Sequence, residues 1–494
     1  MSELLPEILA LRQGVSRIRI PPSMDVPVTP RIRQIIDTPA MRRLASISQL
    51  GLVSLVYPGA THSRLEHSLG VYANALSLLN QITGWQNVHF DIQHSVAHEA
   101  FVIASLVHDA GHWPFCHPIE DMGDALFQNI CSHNGRFAKH EDRVESLLRV
   151  GPIADCLSGD WCCNADDVMA ILRPKSLEQR TSCQLSPENV SFFASCLSGP
   201  IDVDKLDYLQ RDSLHAGVPY GRNFDAERIL GSLRVHPQIP KLAIDEKGRT
   251  AAEMMVFGRY VMFSEVYWHH TVRAATAMLQ RALFELQETT SRESSTDIWA
   301  WSDATDPQWI GHLRETARAG EPRTDETQAI ESPEHDPQSN AAVAISGLVE
   351  GLFGPTRQLH KRVAEFNIET GAEVHSLLAR RPYQWLVKCS GQLTKHINDA
   401  LQMEIPATGV LIDAPPTKLE VDINMDVIGR DDRCLTLGQV SPVASVLANR
   451  QFDDHVKRVR IFVPDTIRSA LRKSFSDPAA QIQKWLIESV ATLD

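Results

Sequence analysis

Apolar residues recur at helical spacing through most of the chain. Between Ser63 and Gln81, Leu65, Leu69, Val71, Ala73, Leu76 and Leu79 form a stripe that predicts one long helix. Arg64 and His67, three residues apart, fall on one face of it. Residues 100–107, AFVIASLV, are continuously apolar and rich in helix formers; Gly111 and Pro114 end that helix just after His108-Asp109. Thr29-Pro30 opens a helix through Ile36, and Thr38-Pro39 opens a second that stops at Gly51. Residues 136–150 read as an amphipathic helix, 250–287 as the longest uninterrupted one, and 341–401 as a resumption of helical pattern. Alternating, strand-like patterning is confined to the ends. Residues 15–28 flank Pro21-Pro22 as a small hairpin, and 409–415, 419–429 and 456–463 are three short strand-like runs before a closing helix from about Pro464. The pattern predicts a mainly α protein with a small N-terminal hairpin and a C-terminal α+β appendage. It divides as 1–28, a helical domain over 29–290, a polar and partly disordered insertion over 291–340, and 341–494. The core of that insertion, 315–340, is acidic and aromatic-free.

Composition narrows the class rather than the fold. At 494 residues and 43% hydrophobic content, the chain has ample material for a large core. A formal charge of −13 argues against wholesale coating by nucleic acid and leaves room for a local basic pocket. No run approaches eighteen apolar residues, so no membrane span is expected. MSELLPEILALRQG lacks the basic start and cleavage pattern of a signal peptide. Nine cysteines without a CxxC pair read as reduced, mostly buried thiols in a cytoplasmic protein.

Candidate chemistry concentrates in two stretches. SLVHDAGHWPFCHPIE, residues 105–120, holds His108, Asp109, His112, His117 and Glu120. Imidazole and carboxylate are the usual ligands of catalytic divalent metals, and an ionised Asp at a buried helix end needs a cationic partner. SGPIDVDKLDYLQRDSLHAGVPYG, residues 198–221, crowds Asp202, Asp204, Asp207 and Asp212 beside Lys205 and Arg211. Such a run is usually a solvated helix face. Here Ile201, Val203, Leu206, Tyr208 and Leu209 interleave with the acids, so at least one acid must point inward and requires a cationic or metal partner.

Four words in order, RQIIDTPAMRRL, YPGATHSRLEHSLGV, LVHDAGHWPFCH and IDVDKLDYLQRD, resemble the HD-domain metal-dependent phosphohydrolases. Within that superfamily they are most similar to the deoxynucleoside triphosphate triphosphohydrolase branch of bacterial dNTPases and the vertebrate SAM-and-HD-domain enzyme. The resemblance runs from about residue 17 to 280 and implies an HD-domain helical core. It implies His67, His108, Asp109 and Asp204 as ligands of a divalent metal (Mn, Mg, Fe or Zn), and hydrolysis of a dNTP to deoxynucleoside and triphosphate. It implies His117 as the proton donor to the leaving oxygen, with His112 and His140 as neighbouring histidines. Glu120 or Asp121 is placed to raise the His117 pKa. Arg64, Lys205, Arg259 and Tyr208 match phosphate-binding positions, Gln49 and Asp212 the 3′-hydroxyl contacts, and Tyr267 the wall that rejects a 2′-hydroxyl.

Some family positions differ. Trp268 and Phe263 replace a glutamine and a histidine of the vertebrate relatives, so base preference is not carried over. Asp37 matches one guanine-reading position of the activator site, but Ala45 stands in place of its arginine and Arg42 in place of a glutamine. Arg228 matches a residue that binds a second activating nucleotide. The resemblance further implies a homo-oligomer, dimer or tetramer, and leaves open whether a nucleotide activates it. Alternatives from the same residues are an HD phosphohydrolase acting on a nucleoside monophosphate or signalling nucleotide, and a nucleotide-sensing or nucleic-acid-binding regulator with weak catalysis.

Overall fold

Local capping starts the helices that carry the chemistry. The Ser63 hydroxyl accepts from the Glu66 amide at the head of the helix Arg64–Ile82. The Asp202 carboxylate accepts from the Lys205 amide to open Val203–His215, and Thr29 accepts from the Ile32 amide to open Pro30–Ile36. Thr38 departs from this pattern: its hydroxyl donates back to the Ile35 carbonyl at 2.7 Å. The computed structural model describes residues 4–14, 16–85, 88–122, 139–290, 301–319, 337–415, 425–431, 433–447 and 456–493. The fold is mainly α, with small sheets, and it divides into two compact units.

The first unit comprises residues 1–113, 134–266 and 419–452. Its centre is the helix Arg64–Ile82, packed against Ser95–Val107 and Val203–His215. Every residue from Ala97 to Val107 is buried, which accounts for the absence of polar punctuation in that run. The hairpin Arg17–Ile20 and Met24–Pro27 lies over the same helix, where the buried Tyr72 hydroxyl donates to the Pro27 carbonyl at 3.0 Å. Arg31 ties the N-terminal helix to this core. It reaches Glu7 and Glu99 at 2.7 Å each and stacks on Trp161 at 3.7 Å, so the fully buried Glu7 is neutralised. A four-stranded sheet takes Leu233–Val235, Leu242–Asp245, Asp426–Ile428 and Cys434–Thr436 in that order.

The second unit comprises residues 114–133, 267–418 and 453–494. Strand Val459–Val463 runs between Lys361–Phe366 and Leu411–Asp413, antiparallel to both. Helices cover this sheet over a core that includes Val374, Leu378, Leu393, Ile397, Leu471 and Leu486.

Three sequence expectations change. The helix opened by Pro39 ends at Leu44, because the chain turns there to bridge Ser48 to Ser63 and then enters a 3₁₀ turn over Gly51–Leu55. The run 250–287 is two helices, Arg249–Met262 and His270–Thr290, parted by a π-helical turn over Phe263–Tyr267. The three C-terminal runs do not share one sheet. Asp426–Ile428 pairs in parallel with Leu242–Asp245, while the other two pair with each other in a sheet completed by Lys361–Phe366, a strand inside the stretch read as helical. Within 291–340, a helix spans Asp306–Ala319 and buries Trp309 and Leu313; residues 320–336, at the heart of the expected disordered insertion, lie outside the described residues.

Candidate metal centre

The helix Arg64–Ile82 places Arg64 and His67 in its first turn, both buried. The helix Ser95–Val107 ends at His108, its C-cap, and Asp109 follows at 4% exposure. The first turn of Val203–His215 contributes Asp204. These three ends converge within the first unit. His67 Nε2 lies 3.0 Å from Asp204 Oδ1, 3.7 Å from Asp109 Oδ2 and 3.3 Å from His108 Nε2. His108 Nε2 lies 3.4 Å from Asp109 Oδ1 and 3.8 Å from Asp204 Oδ1.

That spacing has a simple meaning. Metal–ligand bonds of about 2.1 Å set neighbouring ligand atoms roughly 3.0–3.4 Å apart in octahedral or tetrahedral arrays. The His108 Nδ1 faces the Ser105 carbonyl at 3.0 Å, an acceptor only, so Nδ1 carries the hydrogen and the Nε2 lone pair points inward. His67 is held the same way by Asp207, 2.9 Å from its Nδ1. Two inward lone pairs and two carboxylates in a buried space call for a shared cation. Burial pulls the His67 pKa down, but hydrogen bonds and charge from Asp204 and Asp207 outweigh it and raise it to about 10. The residues present therefore fit a divalent metal.

Charge around this cluster is arranged in shells. Burial pushes the Asp109 pKa up, but Arg64, 2.5 Å away, and then His108 and His112 hold it well below the usual range. His112 Nε2 is 3.1 Å from Asp109 Oδ1; burial first, then Arg64 and His140, push its pKa well down and keep it neutral. The His112 and His140 rings stack with centroids 3.9 Å apart. Gly111 permits this approach, since a Cβ there would meet the His140 carbonyl oxygen at 2.1 Å. Asp109, His112 and His140 themselves form a second group of converging ligand atoms.

Lys205 Nζ is 2.5 Å from Asp202, whose pKa burial raises to about 6. Charge from Arg259 and Lys205 reaches Tyr208, so the four groups share one neighbourhood. Asp212 Oδ1 accepts from His62 Nε2 at 2.8 Å, and the His62 carbonyl accepts from the Gln49 backbone N–H at 2.9 Å. The cluster thus brings together ten sequence-derived residues: His67, His108, Asp109, Asp204, Arg64, His112, His140, Lys205, Tyr208 and Arg259, with Gln49 and Asp212 joined through His62.

HD-domain sequences account for this geometry. Residues 224–325 match the family model for the HD associated region. The chain is 32% identical over 259 residues to an uncharacterized protein of Methanocaldococcus jannaschii, a match covering 52% of this chain and 46% of that one. It is 33% identical over 229 residues to the deoxynucleoside triphosphate triphosphohydrolase SAMHD1 of Xenopus laevis, covering 42% of this chain and 35% of the relative. The crystal structure of a phosphohydrolase from Bacteroides thetaiotaomicron superposes with a TM-score of 0.62 at 23% identity, over 91% of this chain and 99% of that one. Over these segments the chain is similar to HD-domain proteins and to deoxynucleoside triphosphate triphosphohydrolases, and its fold is that of the phosphohydrolase structure. It spans about half the length of the first curated relatives it matches.

The remaining residues that family resemblance singles out are carried by other segments. His117 and Glu120 occupy a short helical turn in the second unit, with His117 Nδ1 3.4 Å from Glu120 Oε2 and the His117 ring exposed. That turn follows two residues of left-handed backbone, Phe115 and Cys116, at φ 57° and 70°. Asp306 accepts from the Phe115 amide at 3.0 Å, Gln280 donates to the Pro118 carbonyl at 2.8 Å, and Phe115 packs on Trp309 and Phe353. Tyr267 ends the π turn in the same unit. Asp37 and Arg42 are exposed in the first unit. Arg228 lines an open cleft of about 1450 Å³ with Arg234, Lys247, Arg249 and Arg430.

Sequence reasoning passed over His62, Glu66 and His215, and named Asp207 and Arg211 only as members of the acid-rich run in which an inward acid needs a cationic partner. His215 Nε2 and Arg211 Nη1 both reach Glu66 Oε1, at 2.9 and 2.6 Å, and the His215 ring stacks on His62 at 4.3 Å. The available signal was the Asp207/Arg211 spacing of four within an apolar helix.

Proposed function

We propose that this HD phosphohydrolase hydrolyses deoxynucleoside triphosphates to deoxynucleoside and inorganic triphosphate. The observation that carries the reading is the convergence of two imidazole lone pairs and two carboxylates within 3.0–3.8 Å, bordered by the cations Arg64 and Lys205. A triphosphate carries about four negative charges, and in this acidic chain only a local cationic pocket offsets them. The SAMHD1 relatives, named for this activity, are 30–33% identical over their matched segments.

A divalent metal held by His67, His108, Asp109 and Asp204 would supply Lewis acidity and an activated water. Around it, Arg64 and Lys205 orient phosphate oxygens, with Arg259 and Tyr208 as further cationic and hydroxyl contacts. His112, held neutral beside Asp109, is available to accept a hydrogen bond or a proton. Protonation of the leaving 5′ oxygen falls to His117 in this reading, with Glu120 as its carboxylate partner. Gln49 and Asp212 bind the 3′-hydroxyl, and Tyr267 excludes a 2′-hydroxyl. Nucleotide activation, with Asp37, Arg42 and Arg228 as contacts, and assembly into dimers or tetramers belong to the same proposal. The Arg228 cleft carries five cationic side chains, of which Arg234 and Arg430 pair with Asp245 and Glu246 in its wall; the net positive charge that is left supports an anionic activator there. Among the described residues, no helix is long and apolar enough to cross a membrane.

The test is a product-resolved assay of all four dNTPs, each alone and with the others, in Mn²⁺ or Mg²⁺. Intact triphosphate is expected, abolished by Asp204→Ala and His108→Ala. Release of orthophosphate or pyrophosphate alone overturns the substrate and bond assignment.

A further inference from the structure

The second nitrogen of His67 is not solvated. Its Nδ1 lies 2.9 Å from Asp207 Oδ2, and both groups are buried at 2% and 4% exposure. Asp207 is in turn gripped by Arg211, one helical turn later: Nε reaches Oδ2 at 2.9 Å and Nη2 reaches Oδ1 at 2.7 Å. Arg211 is itself 1% exposed, and its Nη1 donates to Glu66 Oε1 at 2.6 Å and to the Pro21 carbonyl at 2.8 Å. The pair sits in a notch in the facing helix. A Cβ on Gly70 would lie 1.8 Å from Asp207 Oδ1 and 2.5 Å from Arg211 Nη2, so only glycine leaves room.

This arrangement dictates a tautomer. A carboxylate held by a two-pronged guanidinium is ionised and can only accept, so the His67 Nδ1 must donate to it. When a cation displaces the second proton, the remaining hydrogen therefore stays on Nδ1 and the lone pair on Nε2, the nitrogen that faces His108, Asp109 and Asp204. We propose that Asp207, clamped by Arg211 in the Gly70 notch, is a positioning residue that fixes the tautomer and ring orientation of His67 and so sets the divalent-cation affinity of the cluster. The inference rests on the metal-centre reading of that cluster.

The chemistry of an amide shows why the carboxylate is required. In Asp207→Asn, one of the two carboxylate oxygens becomes an NH₂ group. At the Oδ1 position it opposes the Arg211 Nη2 donor. At the Oδ2 position it opposes Arg211 Nε and presents a donor to His67 Nδ1, which drives the hydrogen to Nε2. The first outcome loosens the group that orients His67 and replaces a charged acceptor by a neutral one; the second disfavours the ligand form of His67 outright. Carboxylate partners of metal-bound histidines typically contribute about 10- to 100-fold in metal affinity.

The experiment is Mn²⁺ binding to the full-length chain, followed by electron paramagnetic resonance titration. It compares wild type with Asp204→Ala, Asp207→Asn, Arg211→Lys and Glu99→Gln, and scores each variant for a cooperative thermal transition. Wild-type binding that Asp204→Ala abolishes establishes the metal centre; wild-type binding that is absent or insensitive to Asp204→Ala overturns that reading and this inference with it. Given the former, Asp207→Asn is expected to weaken Mn²⁺ binding by about 10- to 100-fold. Arg211→Lys keeps the charge and loses the two-pronged grip, so a smaller loss in the same direction is expected; it decides the matter if Asp207→Asn does not fold. Glu99→Gln disturbs a buried ion pair elsewhere in the unit and should lower thermal stability with unchanged Mn²⁺ affinity. If folded Asp207→Asn, or in its absence Arg211→Lys, binds Mn²⁺ within twofold of wild type, or if Glu99→Gln weakens binding equally, Asp207 has no positioning role.

Discussion

Gly70→Ala separates the packing described here from ordinary helix energetics, because the two give opposite signs. In an unobstructed helix interior, replacing glycine by alanine stabilises by about 1 kcal/mol. Gly391, in the helix Tyr383–Leu401, is such a position, since an added Cβ would meet nothing within 4 Å. At Gly70 the added methyl would stand 1.8 Å from Asp207 Oδ1 and 2.5 Å from Arg211 Nη2. Both partners are buried, so they have no solvent to retreat into. Separating a buried ion pair costs about 3–5 kcal/mol, and subtracting the propensity gain leaves a net loss of roughly 2–4 kcal/mol. For a unit of about 280 residues that is a fall of roughly 3–7 °C in Tm. Differential scanning calorimetry of Gly70→Ala and Gly391→Ala in metal-free buffer reads both signs directly. A Gly70→Ala chain melting at or above wild type would show that the ion pair does not occupy the notch.

Other outcomes follow from the same geometry. Mn²⁺ at 100 times its Kd should stabilise the wild type by about 2.7 kcal/mol, and Asp204→Ala should erase that calorimetric shift. Glu365, half-buried against Arg460, Arg458 and Arg362, has its pKa held at about 2 because those cations outweigh the effect of burial. A depressed carboxylate stabilises the fold fully above its ordinary value of 4.5 and loses that contribution as pH falls toward 2. Glu365→Gln should therefore cost up to about 3 kcal/mol near pH 7 and show a flatter acid limb in urea titrations between pH 4.5 and 2. Tyr267→Ala should raise ribonucleotide turnover relative to dNTP, and an unchanged ratio removes it from the sugar gate. Asp306→Ala removes the acceptor of the Phe115 amide and should lower kcat by about tenfold with KM little changed, if the turn bearing His117 must be held for proton transfer.

Legibility in the sequence tracks how local each cause is. Ser63 and Thr29 were readable as helix starts because a cap acts within three residues of itself, whereas Asp202, a cap of the same kind, stood only as one of four crowded acids. His67, His108, Asp109 and Asp204 were readable because ligand-type side chains stand inside apolar helical pattern, where burial without a cation is costly. The break at Phe263–Tyr267 was not, since nothing in that apolar run punctuates it. The strands Leu233–Val235, Leu242–Asp245 and Lys361–Phe366 are only three to six residues long, and partners distant in sequence define them.

The shell behind the ligands was hidden for a more specific reason. An Asp and an Arg four apart ordinarily form a surface pair worth a few tenths of a kcal/mol. At Asp207 and Arg211 the same spacing is turned inward, and what turns it is Gly70, which reads in sequence only as a weak point in a helix. Neither signal has meaning without the other. Together they put a neutralised carboxylate behind one metal-facing imidazole, while a backbone carbonyl, that of Ser105, does the same for the other. The two histidines are thus oriented by different devices of unequal strength. A charged acceptor makes a hydrogen bond about twice as strong as a neutral one, so His67 is the more firmly held imidazole. The adjacent His-Asp pair marks where the chemistry is, but the rigidity of the site comes from the helix pair Arg64–Ile82 and Val203–His215, whose facing residues hold one another through Gly70.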